Sequence, residues 1–101
     1  MSKIKNLTDS DFHLAVDNAE IAMVDFGAEW CRPCKMLEPI MNQISEEVSH
    51  SVFKVDVDEG SGLAQEFKIM SVPTVIVFRN GQIHKRFSGL TSKENLLKLF
   101  E

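Results

Sequence analysis

Both cysteines of the chain fall in Trp30-Cys31-Arg32-Pro33-Cys34-Lys35, where a strand-like apolar run gives way to a helical pattern. Their spacing has a physical consequence. On a helix, positions i and i+3 share one face, so two sulfurs so placed at a helix start come within bonding distance. The first cysteine then sits among the unpaired N–H groups at the positive end of the helix dipole, which favours an anion. The thiolate is the nucleophilic form, so the motif suits dithiol–disulfide exchange. A zinc site needs about four ligands, yet His13, His50 and His84 pair neither with one another nor with a cysteine. A purely structural disulfide across so short a loop would restrain the unfolded chain little. Redox chemistry is the expected use.

At 101 residues the chain is expected to form one domain, 1–101, around a single core. Its 44% hydrophobic and 26% charged residues are ordinary for a soluble globular protein. A net charge of -4 argues against a nucleic-acid-binding surface, which needs a basic patch. The opening Met1-Ser2-Lys3-Ile4-Lys5-Asn6 lacks the apolar stretch of a signal peptide, and no apolar run approaches a membrane span. A cytoplasmic location is therefore expected, and there a cysteine pair is more often catalytic than structural.

The apolar periodicity predicts the elements. Thr8 to Asn18 reads as a helix with Thr8 and Asp11 as a capping-box-like start and a stripe of Phe12, Ala15, Val16 and Ala19. Ile21 to Gly27 reads as a central strand interrupted by Asp25. A helix from about Cys34 to Ser49 follows, its inward stripe formed by Cys34, Leu37, Met41, Ile44 and Val48, with a kink expected at Pro39. Val52 to Val57 reads as a strand and Leu63 to Phe67 as a helical turn. Val75 to Phe78 and Gln82 to Phe87 flank Asn80-Gly81, a hairpin signal. Thr91 or Ser92 caps a last helix, and Lys3-Ile4-Lys5 is expected to add a short edge strand. The methionines, Met36, Met41 and Met70 among them, read as core filling, and the histidines as surface groups. A βαβ half, a connecting helix and a ββα half imply an α/β fold, a central mixed sheet with helices on both faces.

Several residues admit two readings. Asp25 lies amid Met23, Val24 and Phe26: either it is a surface carboxylate at a strand end, or it is buried, with a raised pKa suited to proton transfer. Lys54, between Phe53 and Val55, is equally an outward strand residue or a group facing a site. Pro73 can simply open a strand. Trp30 is either a core aromatic or, beside Cys31, part of a docking surface.

The order of several motifs carries a resemblance. Val24-Asp25-Phe26, Ala28-Glu29-Trp30-Cys31, Pro33-Cys34-Lys35, Pro39, Lys54-Val55-Asp56-Val57-Asp58, Ser71-Val72-Pro73-Thr74, Phe78-Arg79-Asn80-Gly81 and Gly89 make the chain resemble the thioredoxin family from about Leu7 to Phe100. The resemblance implies the thioredoxin fold and a protein-disulfide reductase. Cys31 would attack the substrate, as its place nearer the helix end also suggests, and Cys34 would resolve the mixed disulfide. Asp25 would accept the Cys34 proton, directly or through water, with Lys54 tuning it. The Val72–Pro73 bond would be cis and would offer backbone groups to an extended substrate. Trp30, Gly27, Ala28, Val72 and Gly89 would form an apolar docking platform.

The resemblance also implies partners, a thioredoxin-reductase-type flavoprotein and disulfide-containing client proteins; charge and the lack of a long apolar run give the expectation of no nucleic acid and no membrane. No cofactor or metal is expected beyond the Cys31–Cys34 disulfide, and a monomer is expected. Arg32, where typical members carry Gly, Gly27, where a larger residue is common, and the absence of Tyr are departures. Arg32 beside Pro33 is expected to tune redox potential. It also suggests an alternative, a more oxidising or isomerising member; a thioredoxin-fold binding subunit is another.

Overall fold

A computed structural model describes residues 3–101; Met1 and Ser2, the first two residues of the expected 1–101 unit, lie outside the described residues. The elements are β1 (Lys5–Leu7), α1 (Phe12–Asp17), β2 (Ile21–Gly27), α2 (Arg32–Glu47), β3 (Ser51–Asp56), α3 (Ser61–Glu66), β4 (Thr74–Arg79), β5 (Gln82–Ser88) and α4 (Lys93–Leu97). A 3-10 turn, Lys98–Phe100, follows. The strands form one five-stranded sheet in the order β1-β3-β2-β4-β5. β1 and β2 each pair parallel with β3, and β4 pairs antiparallel with β2 and β5. The expected mixed sheet is therefore present.

The central strand explains the two layers of the core. Successive strand side chains point to opposite faces. From β2, Ala22, Val24 and Phe26 enter a cluster with Phe12 and Val16 of α1 and Leu63 of α3. Met23 enters the other, with Leu37, Met41 and Ile44 of α2 and Leu96 of α4. Helices thus cover both faces. In the first layer the rings of Phe12, Phe26, Phe67 and Phe78 meet at centroid distances between 5.2 and 6.2 Å. In the second, Leu37 is fully buried, and truncating such a leucine to Ala costs about 2–5 kcal/mol. Asp25 shares the parity of Met23, so the alternation turns its carboxyl toward α2.

The Asn80-Gly81 hairpin forms as expected, with φ of 52° and 81° at its two central residues. Gly81 suits its positive φ, and a Cβ there would in addition push the Asp17 carboxylate aside, lying 2.6 Å from Oδ1. Ser92 caps α4 by accepting the Asn95 N–H at 3.1 Å. α2 continues without a break through Pro39.

Other expectations need correction. The edge strand is Lys5–Leu7, not Lys3–Lys5, because Leu7 is the residue buried against β3, opposite Val55. α1 begins at Phe12, not Thr8: the Asp11 carboxylate accepts the Thr8 N–H at 2.7 Å, folding residues 8–11 into a turn. α2 begins at Arg32, not Cys34, because Cys31 itself is the N-cap and Pro33 occupies the first turn, where no donor is needed. Met41 fills the core, whereas Met36 is more than half exposed and Met70 is 92% exposed. His84 is not a simple surface group, since its Nε2 is buried without a hydrogen-bond partner among the described residues.

Candidate active site

The end of β2 and the start of α2 bring the cysteines together. Cys31 has extended backbone, φ -92° and ψ 111°, and its Sγ accepts the Cys34 N–H at 3.2 Å. The two residues are disulfide-bonded, with Cα atoms 5.2 Å apart. In the reduced protein the same N–H would hydrogen-bond a Cys31 thiolate, adding to the helix dipole in favouring the anion. Cys34 lies one turn inward, on the buried stripe of α2. Arg32 and Pro33, between them, are exposed.

The loop before β4 faces the disulfide. The Val72–Pro73 peptide is cis, and Cys31 Sγ lies 3.7 Å from the Val72 carbonyl oxygen. Thr74 Oγ1 donates to the Ser71 carbonyl at 2.7 Å, and the Gly89 N–H donates to the Pro73 carbonyl at 2.8 Å. Gly89 has φ 103°, a conformation that favours glycine, although a Cβ there would meet nothing within 4 Å.

Trp30 is a surface residue. It is 71% exposed, and its Nε1–H donates to Asp58 Oδ2 at 2.8 Å. Beside it runs a shallow groove of about 380 Å³ lined by Trp30, Val57, Ala64, Ile69, Met70 and Val72 among others. Gly27 and Ala28 do not join this surface; both are buried. The alternation of β2 turns Gly27 inward, where a Cβ would lie 3.3 Å from Cys34 Sγ and 4.0 Å from Asp25 Oδ1. Gly27 therefore lies between the inner cysteine and Asp25.

Asp25 is 3% exposed, so the surface reading fails, and its Oδ1 has no hydrogen-bond partner among the described residues. Burial pushes its carboxyl pKa up to about 6; the Lys54 ammonium opposes this rise and the Glu38 carboxylate adds to it. Asp25 and Lys54 are register partners on β2 and β3. Lys54 Nζ donates to Glu38 Oε2 at 2.9 Å. A cleft of about 200 Å³, lined by Asn6, Asp25, Glu38, Asn42 and Lys54 among others, opens on these groups. The carboxyl thus has the inner-cysteine side on one hand and a polar cleft on the other.

The structure brings Cys31, Cys34, Val72 and Pro73 into one site, with Asp25 behind Cys34 and Lys54 behind Asp25. Sequence reasoning missed Glu38, Asp58, Ile69 and Met70. Glu38 had a usable signal, since it stands four residues after Cys34 and so one helical turn along the same face. Among the described residues, no group of three or more His, Cys, Asp or Glu side chains is placed to hold a metal ion. Among the described residues no helix is long and apolar enough to cross a membrane.

Comparison with known proteins agrees with this geometry. A family model described as Thioredoxin matches residues 3–101. A thioredoxin of Staphylococcus aureus is 38% identical over 100 residues, covering 97% of this chain and 95% of the relative. Among solved structures, a mutant thioredoxin from Halobacterium salinarum NRC-1 superposes with a TM-score of 0.90 at 29% identity, covering 98% of this chain and 90% of that one. Plasmodium falciparum thioredoxin gives 0.89 at 32% identity, covering 95% and 96%. The chain belongs to the thioredoxin family, and through its Cys31–Cys34 pair it is a thiol–disulfide oxidoreductase that reduces protein disulfides.

Proposed function

We propose that Cys31 is the attacking nucleophile and Cys34 the resolving one. The observation that carries this reading is the asymmetry of the pair. Cys31 is the helix cap, beside the cis-proline loop, while Cys34 faces inward toward Gly27 and Asp25. The Cys31 thiolate attacks one sulfur of a client disulfide, forming a mixed disulfide and releasing the other client sulfur as thiolate. Asp25 then takes the Cys34 proton. The Cys34 thiolate attacks Cys31 Sγ, the bond to the client breaks, and the client leaves reduced by two electrons. The dithiol is thereby oxidised to the Cys31–Cys34 disulfide.

The client approaches as an extended segment along Val72–Pro73, with Trp30, Val72 and Gly89 at the docking surface. Lys54 tunes Asp25, and Pro33 with Arg32 sets the redox poise. A thioredoxin-reductase-type flavoprotein restores the dithiol, and the protein works as a cytoplasmic monomer, one domain over residues 1–101, with no cofactor beyond its disulfide. Family membership supports the reductase partner, and the exposed cation at Arg32 favours a couple somewhat more oxidising than a glycine would give.

The test is reduction of an insulin-type interchain disulfide. Catalytic amounts of the protein should accelerate it with either a dithiol or reductase plus NADPH as electron source. A rate no greater than that of the electron source alone would reject the reductant direction.

A further inference from the structure

Among the described residues the cation beside Asp25 is Lys54, and it is engaged elsewhere. The Lys54 ammonium donates to Glu38 Oε2 at 2.9 Å, whereas Asp25 Oδ1 has no hydrogen-bond partner among the described residues. Glu38 reaches this position because α2 places it one turn beyond Cys34, over the same polar cleft that Asp25 and Lys54 line. Its side chain is also 3.9 Å from Lys35 Nζ, which is itself held by Glu29 at 2.9 Å.

Few charged groups face Asp25. α2 supplies Glu38 and the titratable Cys34, and β3 supplies Lys54. On the other side β4 presents Val75 opposite Asp25, and β1 presents the neutral Asn6 opposite Lys54.

We propose that Glu38 is a positioning residue for the exchange reaction: it holds the Lys54 ammonium in the cleft and opposes that charge, so that Asp25 remains basic enough to take the Cys34 proton. A buried carboxylate paired fully with an ammonium is a stabilised anion, and a stabilised anion is a weak base. A second carboxylate on the same ammonium offsets that stabilisation. Burial raises the Asp25 carboxyl, the Lys54 ammonium opposes that rise, and Glu38 restores part of it, which keeps the group nearer the range where a proton acceptor works best. This inference rests on Asp25 being the proton acceptor, and its test separates the two claims.

The test compares the parent with Glu38→Gln, Asp25→Asn and the double variant. The Asp25 carboxyl is titrated by carbon NMR in the oxidised protein, and the exchange rate is measured from pH 5 to pH 9. Glu38→Gln keeps the size of the side chain and removes the charge. Its Asp25 midpoint should fall from about 6 by roughly half a pH unit or more. The acid limb of the rate profile should move down with it, while the rate above pH 7 drops about two- to threefold, as expected of a weaker base. In the Asp25→Asn background the Glu38 change should have no further effect. An unmoved Asp25 midpoint overturns the role of Glu38, as does an equal rate loss with and without Asp25. If instead Asp25→Asn leaves the rate profile unchanged, the proton-acceptor reading itself fails, whatever the midpoint does.

Discussion

Replacing Asp25 with Asn should stabilise the oxidised protein at neutral pH, and by a pH-dependent amount. In the folded protein the carboxyl pKa is raised from 3.8 to about 6, chiefly by burial. That rise of roughly two pH units corresponds to about 3 kcal/mol of preference for the neutral form. The sign follows from linkage. Between pH 3.8 and 6 the folded state binds the proton more tightly than the unfolded state, so stability from this group is fully present below 3.8 and lost as pH rises through 6. At pH 7 the parent therefore buries an ionised carboxylate, and a neutral amide of the same shape removes that cost. The amide adds donors that find few partners in this site, which offsets about 1–2 kcal/mol of the gain.

A net stabilisation of about 1–2 kcal/mol at pH 7 remains, or about 4–8 °C in Tm for each kcal/mol in a domain of this size. Urea unfolding followed by far-UV circular dichroism from pH 4 to pH 8 measures it. The advantage of the variant should shrink steadily as pH falls and vanish or reverse near pH 4. A constant gap across that range, or a variant less stable at pH 7, would refute the buried-carboxylate argument.

Two further substitutions probe the cysteines. Arg32→Gly removes an exposed guanidinium roughly 7 Å from the Cys31 thiolate, worth about 0.6–1.2 kcal/mol at an effective dielectric of about 40–80. The Cys31 pKa should rise and the couple should become more reducing by about 10–25 mV against glutathione, with Arg32→Glu moving further the same way. Gly27→Ala places a methyl group 3.3 Å from Cys34 Sγ and 4.0 Å from Asp25 Oδ1. It should slow the resolving step more than the first attack, seen in stopped-flow as a longer-lived mixed disulfide; equal slowing of both steps would show a general packing effect instead.

The sheet was largely legible because β2 is apolar except for Asp25, and its expected bounds, Ile21 to Gly27, match the structure. The cysteine spacing likewise placed both sulfurs at a helix start. Less legible were features set by single side chains. Thr8 and Asp11 pair as the capping-box-like pattern suggests, but their bond closes a turn that precedes α1, so periodicity placed the helix start one turn too early. Met70 looks like core filling by hydrophobicity alone, but the loop leading to the cis bond carries it outward to line the groove beside Trp30. The resemblance implies an apolar docking platform that includes Gly27, whereas strand alternation turns it inward behind Cys34. For Glu38 the sequence offers only its place one helical turn beyond Cys34. Only the parallel pairing of β3 with β2 brings Lys54 across to meet it beside Asp25.

The division of labour between the cysteines is the centre of this account, and trapping measures it directly. Cys34→Ser and Cys31→Ser variants are each mixed with a disulfide-containing protein, and adducts are read by non-reducing electrophoresis and mass spectrometry. Cys34→Ser should accumulate a mixed disulfide through Cys31, because nothing remains to resolve it, while Cys31→Ser should form almost none. Efficient capture through Cys34 by the Cys31→Ser variant would contradict the assignment.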